Sequence, residues 1–310
     1  TQRRPLAPGD VLSYSSGSEN RDPHGFRIAG KGGNLLALIE SRWPELVRSF
    51  RGRMPIIINA YPAFIGTFDF GVTVDSYLSY TTASRALHLA HVEKLPVMLL
   101  GQPLLLAHLL NQHIDQGHPM PDAILLGMGG YPAPRSLEVF LEGLGKSVGC
   151  DITMVYGYGV AEVDSACLLA SKRNEANELV YSLRGPDVEV TLEGENLLLT
   201  LKKDGVASEP FRTGDQGRAV EGGYVIYNAE RMHRDVSKIL ESWTEDDWKR
   251  RTGYLHYGMV FRVQLRKGAT PKLPFESEFY EYSKEYGHSW LFKPQWKLIG
   301  GHVILRRTLI

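Results

Sequence analysis

Four short segments carry residue types suited to holding a phosphorylated ligand. In the first, Ser15, Ser16, Gly17 and Ser18 follow a short apolar strand directly, and the segment closes on Pro23, His24 and Gly25. Glycine permits tight turns in which backbone N–H groups converge on one anion, and hydroxyls add donors, so such a loop suits phosphate oxygens. A flexible Ser/Gly linker has the same composition. In the second, a strand end runs through Leu126, Gly127, Met128, Gly129, Gly130, Tyr131 and Pro132 toward a helix. Sheets of alternating strands and helices place ligands beyond their strand C-termini, and glycines there let a flat ring approach the backbone. A plain strand-to-helix turn fits equally.

The third segment runs from Val155 to Glu162 after another apolar strand. Tyr158 and Gly159 suit the face of a base, and Glu162 suits Mg²⁺, which usually takes one or two carboxylates with substrate phosphates. Alternatively Tyr158 is structural and Glu162 is a helix N-terminal charge. In the fourth, Glu209 to Arg218, a turn-borne Asp215 has two acceptor oxygens for the two hydroxyls of a ribose. A generic Thr-Gly-Asp turn between strands is the other reading.

The positioning elements follow from periodicity. Apolar strands are expected at Pro55 to Asn59, Val97 to Leu100, Ala123 to Gly127 and Asp151 to Tyr156. Helices are expected at Ala83 to Val92, Leu104 to Gln116 and Ala133 to Leu144, with Pro132 and Pro134 at the last helix start. Past about residue 175, Val188 to Leu192, Leu197 to Leu201 and Tyr224 to Tyr227 alternate with glycine turns and read as antiparallel ribbons. Beyond Arg231 the sequence predicts a helix at Asp235 to Trp243, a strand at Val260 to Leu265, a helix at Glu276 to Tyr286 and a last strand around His302 to Arg306. The expected fold class is α/β: a large core with mixed sheets flanked by helices and a β ribbon region over residues 1–230, then a small α+β subdomain over residues 231–310.

Composition bounds the partners. The chain has 310 residues, 43% of them hydrophobic, and its 35 basic residues balance 35 acidic ones, so no overall field draws it to nucleic acid or an anionic membrane. No segment reaches the roughly 20 apolar residues that span a bilayer, and the first residues are not followed by a signal-type apolar stretch, so a cytoplasmic setting is expected. Cys150 and Cys167 stand too far apart for a C-x-x-C pair, and the ten histidines match no zinc spacing, so inert thiols and no zinc site are expected.

In this order the four segments resemble the acyl-adenylate-forming superfamily, particularly its phenylacetate-CoA ligase and acyl-protein synthetase branch. Ser15, Ser16, Gly17, Ser18, Pro23 and Gly25 are similar to the family's phosphate loop, and Gly129, Gly130, Tyr131 and Pro132 to its adenine segment. Tyr158 to Glu162 resemble its Y-G-x-T-E motif, and Phe211 to Asp215 its Y-R-T-G-D motif. Asn59 to Pro62 and Phe64 to Gly66 look like the stretch lining the acyl pocket in that branch; with Phe68 and Met128, Tyr61 and Phe64 are the candidates for that pocket. The tail from Gly301 to Arg307 resembles the closing G-K-x-x-R-R. The resemblance implies that ATP, with Mg²⁺, activates a small carboxylate as an acyl-AMP. The acyl group then passes to a thiol of CoA or a carrier protein, a hydroxyl or an amine.

Four positions depart from that pattern. His24 replaces the phosphate-loop Lys, Ala161 lacks the hydroxyl before Glu162, Ala229-Glu230-Arg231 replaces the G-R-x-D-D hinge, and His302 replaces the closing Lys. A cation facing the developing charge contributes about 3 to 4 kcal/mol to catalysis, so its loss slows or abolishes adenylation. Two further expectations therefore accompany the ligase reading: a nucleotide- or acyl-binding relative without turnover, and acyl transfer from a pre-activated donor with His24 or His302 as general base. Because only Thr1 to Tyr14 precede the first loop, either a trimmed fold or a covering partner, such as a second copy in a homodimer, is also expected.

Overall fold

The computed structural model describes residues 11–14, 26–29, 40, 43–61, 68, 70–76, 80–130, 132–160, 167–183, 185–203, 206–227, 243–244, 248, 251–256, 260–265, 290–299 and 302–309. The helices expected at Asp235 to Trp243 and Glu276 to Tyr286 lie outside these residues, apart from Trp243.

The runs Ile56-Ile57-Ile58, Val97-Met98-Leu99 and Ile124-Leu125-Leu126 are apolar at every position, the pattern of strands covered on both faces. They form β3 (Ile56–Asn59), β5 (Val97–Gly101) and β6 (Ala123–Met128). With β4 (Val72–Asp75) and β7 (Asp151–Tyr158) they make five parallel strands in the order β4-β3-β5-β6-β7. Then β8 (Leu168–Ala170) and β9 (Ser182–Leu183) continue the sheet antiparallel.

Side chains alternate strictly across this sheet. Ile56, Ile58, Leu99, Ile124, Leu126 and Tyr156 face one side, packed by α2 (Tyr80–Val92), α3 (Pro103–Asp115) and α4 (Arg135–Val148). Ile57, Met98, Leu125 and Val155 face the other, against Trp43, Phe50 and Leu46 of α1 (Pro44–Arg48). The apolar run from Val97 to Leu110 is a buried strand turning into a helix, with Gln102 as N-cap and Pro103 opening α3.

A second sheet has the order β10-β11-β13-β14, where β10 is Val188–Glu193, β11 Asn196–Lys203, β13 Phe211–Val220 and β14 Gly223–Tyr227; β12 (Val206–Ala207) pairs with β11. It joins the first through a bridge in which Tyr181 and Tyr224 exchange N–H···O bonds, both 2.8 Å. A Cβ at Gly223 would lie 2.1 Å from the Tyr181 carbonyl oxygen, so this junction requires glycine.

Two smaller sheets also lie among the described residues. β1 (Val11–Tyr14) and β2 (Phe26–Ala29) pair antiparallel, with Tyr14 opposite Phe26, so the segment 15–25 connects the two strands of a ribbon. Near the C-terminus, β15 (Arg251–His256), β16 (Val260–Leu265), β17 (Trp290–Ile299) and β18 (His302–Leu309) form an antiparallel sheet in the order β15-β16-β18-β17. β16 and β18 were expected as strands; β15 and β17 were not. Trp243 and Trp248, beyond the expected boundary at residue 230, pack into the core: Trp248 stacks on Phe140 of α4, centroids 6.3 Å apart, and donates through Nε1 to Ser136 Oγ at 3.1 Å.

Cys150 and Cys167 are buried free thiols, and burial pushes Cys150 up to about 12, so it stays protonated. Among the described residues no group of His, Cys, Asp or Glu is placed to hold a metal ion, and no helix is long and apolar enough to cross a membrane.

Leu99 is wholly buried between the sheet and its helices, so Leu99→Ala should cost about 2 to 5 kcal/mol in urea unfolding, against under about 0.5 kcal/mol for the half-exposed Leu89→Ala. His113 is a satisfied core histidine: Nδ1 shares a hydrogen bond with Ser84 Oγ (2.8 Å) and Nε2 one with the Pro119 carbonyl (3.0 Å). Burial lowers its pKa below 6.5; the Pro119 carbonyl opposes the shift, and His118 and His88 reinforce it. The unfolded chain therefore takes up a proton first as pH falls, and native stability drops below about pH 6.5. Thermal melts should fall from about pH 7 to about pH 5, with a shallower slope in His113→Gln.

Candidate functional site at the carboxyl edge of the parallel sheet

The parallel strands end side by side, and the chain leaves each one through a small or polar residue. Ala60 N–H donates to the Leu100 carbonyl at 2.7 Å, and Gly129 N–H donates to the Gly101 carbonyl at 3.1 Å, so hydrogen bonding carries each pairing to the rim. At β3, Asn59 is 1% exposed; its Nδ2 donates to Asp75 Oδ1 (2.9 Å) and its Oδ1 accepts from the Tyr61 N–H (3.1 Å). These bonds fix the backbone from which Tyr61 projects. At β6, Gly130 has φ +94°, a conformation costly for a side chain, and a Cβ there would lie 2.9 Å from Tyr61 Oη and 3.4 Å from Gln102 Nε2. A Cβ at Gly129 would lie 3.3 Å from the Gly157 carbonyl oxygen. Tyr61, Gln102, Gly129 and Gly130 thus converge, with β7 alongside.

Tyr158 ends β7, and its hydroxyl donates to Asp215 Oδ2 at 2.5 Å. This bond links the third and fourth segments across 57 residues of chain. Asp215 lies inside β13 rather than on a turn between strands. Against β11 the register slips between Asn196 and Leu198, and Gly214 at φ +78° lets residues 213 to 215 bulge. Thr213 Oγ1 holds the bulge by donating to the Leu197 carbonyl (3.0 Å) and accepting the Asp215 N–H (3.1 Å). Asp215 is 3% exposed, so both hydroxyl and bulge serve a buried carboxylate.

The pocket candidates separate. Met128 faces the helical side of the sheet, 2% exposed, packed in the core. Phe68 packs with Phe70, centroids 5.6 Å apart, against the cluster on the opposite face. Met128 and Phe68 thus belong to different apolar clusters, one on each face of the sheet. Ser15, Ser16, Gly17, Ser18, His24, Phe64, Tyr131 and Glu162 lie outside the described residues. His302 opens β18, paired through its backbone with Gln264 and Ile299.

A polar cluster beside the second segment was missed from sequence. Glu138, buried on α4, accepts from Tyr156 Oη (2.5 Å) and Arg173 Nε (2.8 Å) through Oε1 and from Arg135 Nη1 (2.5 Å) through Oε2. Arg173 Nη2 donates to the Ala133 carbonyl (2.6 Å), and its Nη1 to the Asn177 carbonyl (2.8 Å). Burial by itself raises the Glu138 carboxyl, but the bonds from Arg173, Tyr156 and Arg135 outweigh it and hold the acid below its usual range. The available signal was an acid beside Leu137 and three residues before Leu141, on the apolar face of a helix. Nothing in the sequence marked Arg173 as its partner.

The Tyr158 hydroxyl is predicted to contribute about 1 to 3 kcal/mol through the buried Asp215 carboxylate. Urea unfolding of Tyr158→Phe measures it, and a loss under about 0.5 kcal/mol would show that the bond does not serve stability.

No protein-family model matches the chain, and no curated protein matches it in sequence. Among solved structures it is similar to the anthranilate CoA ligase AuaEII in complex with anthranoyl-AMP, at 13% identity and TM-score 0.48, over 88% of this chain and 60% of that one. It is also similar to an AMP-forming acyl-CoA synthetase/AMP-acid ligase II-like protein from Dyadobacter fermentans, at 11% identity and TM-score 0.45, over 100% of this chain and 81% of that one. A third is the amide bond synthetase McbA from Marinactinospora thermotolerans, at 14% identity and TM-score 0.41, over 92% and 64%. The chain spans 60% of the length of the anthranilate ligase. Its resemblance to the acyl-adenylate-forming superfamily stands on its own four ordered segments.

Proposed function

We propose that this protein activates a small or aromatic carboxylate as an acyl-AMP and passes the acyl group to a thiol, hydroxyl or amine. The observation that carries the reading is the meeting of Tyr158 and Asp215 at 2.5 Å beside the strand ends that bear Gly129 and Gly130. Three of the four ordered segments thereby contribute to one rim, at the edge where sheets of this type hold ligands.

The residues suit an adenosine nucleotide. Gly129 and Gly130 bring backbone without side chains to this rim, which suits the approach of a flat base, while Tyr61 and the Gly157 carbonyl fill the places where a Cβ would stand. In this reading Asp215, 3% exposed and bonded to the Tyr158 hydroxyl, is the carboxylate that meets ribose hydroxyls. ATP would supply the pyrophosphate leaving group and Mg²⁺ the charge neutralisation that such a displacement needs. In this reading Gly129, Gly130 and Tyr131 flank the base, Gly159 gives the backbone beside it room, and Ser15, Ser16, Gly17 and Ser18 donate to phosphate oxygens. Glu162 holds the metal ion, while His24 and His302 stand where relatives carry lysine. Tyr61 and Phe64 border the acid, and Phe68 and Met128 pack behind the rim. CoA, a carrier-protein thiol or an amine receives the acyl group. Residues 1–230 supply the nucleotide site, and residues 231–310 supply His302.

Pyrophosphate release is expected when the protein meets ATP, Mg²⁺ and a panel of small aliphatic and aromatic acids. Glu162→Ala should lower turnover by about 100-fold or more, and Asp215→Asn should weaken ATP binding by about tenfold. If no acid supports pyrophosphate release or ATP exchange and Glu162→Ala changes nothing, the proposal fails. His302 and His24 favour a second reading, nucleotide binding without turnover, because a largely neutral imidazole offsets phosphate charge less than lysine does. Tight ATP binding by calorimetry with no pyrophosphate from any acid would select that second reading.

A further inference from the structure

The Glu138 cluster is an expensive object. A carboxylate 4% exposed, with one arginine largely buried beside it, gives up hydration that the ion pair barely recovers, and an apolar cluster of the same volume would serve stability as well. Its geometry gives a reason for the charge. The chain leaves β6 at Gly129 and enters α4 after Pro134, and a hydrogen bond ties it near each of these points. At the first end, Gly129 N–H donates to the Gly101 carbonyl at 3.1 Å. At the second, Arg173 Nη2 donates to the Ala133 carbonyl at 2.6 Å.

Arg173 itself is held on three sides. Its Nε and Nη2 face Glu138 Oε1 at 2.8 and 2.7 Å, its Nη1 donates to the Asn177 carbonyl, and its guanidinium lies 6.0 Å from the Tyr156 ring centroid. Tyr156 stands on β7, two residues before Tyr158. The same cluster therefore connects the strand bearing the Asp215 partner to the segment bearing the glycines. The planar fork of arginine reaches the carboxylate and two carbonyls at once, which the single ammonium of lysine cannot do in one geometry.

We propose that Arg173, held by Glu138, is a positioning residue for the nucleotide: it fixes the height of the Gly129–Gly130 backbone relative to the end of β7, and with it the space for the base. The role rests on the adenylate reading, but its mechanical part is measurable without any ligand.

Arg173→Lys keeps the charge and loses the fork. Hydrogen exchange of the unliganded full chain should show the Gly129 amide, bonded to the Gly101 carbonyl, exchanging about tenfold faster or more, with the β5 and β6 amides little changed. ATP-dependent pyrophosphate release should show KM for ATP raised about tenfold with a smaller change in kcat, whereas damage to folding alone would lower kcat at constant KM. Arg135→Ala removes the half-exposed member of the cluster and leaves the Ala133 tie, so it should not loosen the segment. If Arg173→Lys melts too low to assay, Glu138→Gln, which keeps the side-chain shape without the charge, should give the same selective loosening. Exchange that is unchanged, that rises equally throughout the sheet, or that rises equally in Arg135→Ala overturns the proposal. Loosening with an unaltered KM for ATP overturns it as well. Failure of the unaltered protein to bind ATP would overturn the adenylate reading and this role with it, and is told apart because it precedes any substitution.

Discussion

Burial of the parallel sheet on both faces is the constraint from which the rest of the structure follows. With Ile56 to Ile58, Val97 to Leu99 and Ile124 to Leu126 packed above and below, the faces of the sheet are committed to the core. A ligand has access to these strands only where they end. The carboxyl rim is where backbone groups leave the hydrogen-bond ladder, and there the chain carries Gly129, Gly130, Gly159 and polar side chains such as Asn59 and Gln102.

The second sheet completes the rim from outside. Its close approach at Gly223, and the bulge that Gly214 permits, carry Asp215 to the Tyr158 hydroxyl. The carboxylate is buried by that contact, so its position and its burial have one cause. A bulge is a suitable device for this purpose, because it turns one side chain out of the alternating pattern without breaking the strand.

The Glu138 cluster plays a comparable part on the helical side. Its charges are concentrated where α4, β7 and the loop after β8 meet, a place where packing of apolar side chains fixes distances less sharply than directed hydrogen bonds do. Its members come from residues 133 to 177 and lie beside the glycine segment rather than elsewhere in the core.

The sequence alone determined the parallel strands and the helices between them, because continuous apolar runs and 3.6-residue periodicity are local signals: β16 coincides with its expected span, and the core strands and helices fall within a few residues of theirs. It also determined the order of the four segments, and so the family they resemble. β15 and β17 escaped notice because their polar and charged residues, such as Lys293 and Lys297 in β17, give no clean alternation. Only tertiary structure decided that Met128 and Phe68 belong to opposite faces, since a strand pattern does not say which face a ligand could reach. Only tertiary structure placed Asp215 in a bulge against Tyr158 and Arg173 against Glu138. Those contacts span 57 and 35 residues, and a hydrogen bond between distant segments leaves no periodic trace in either one.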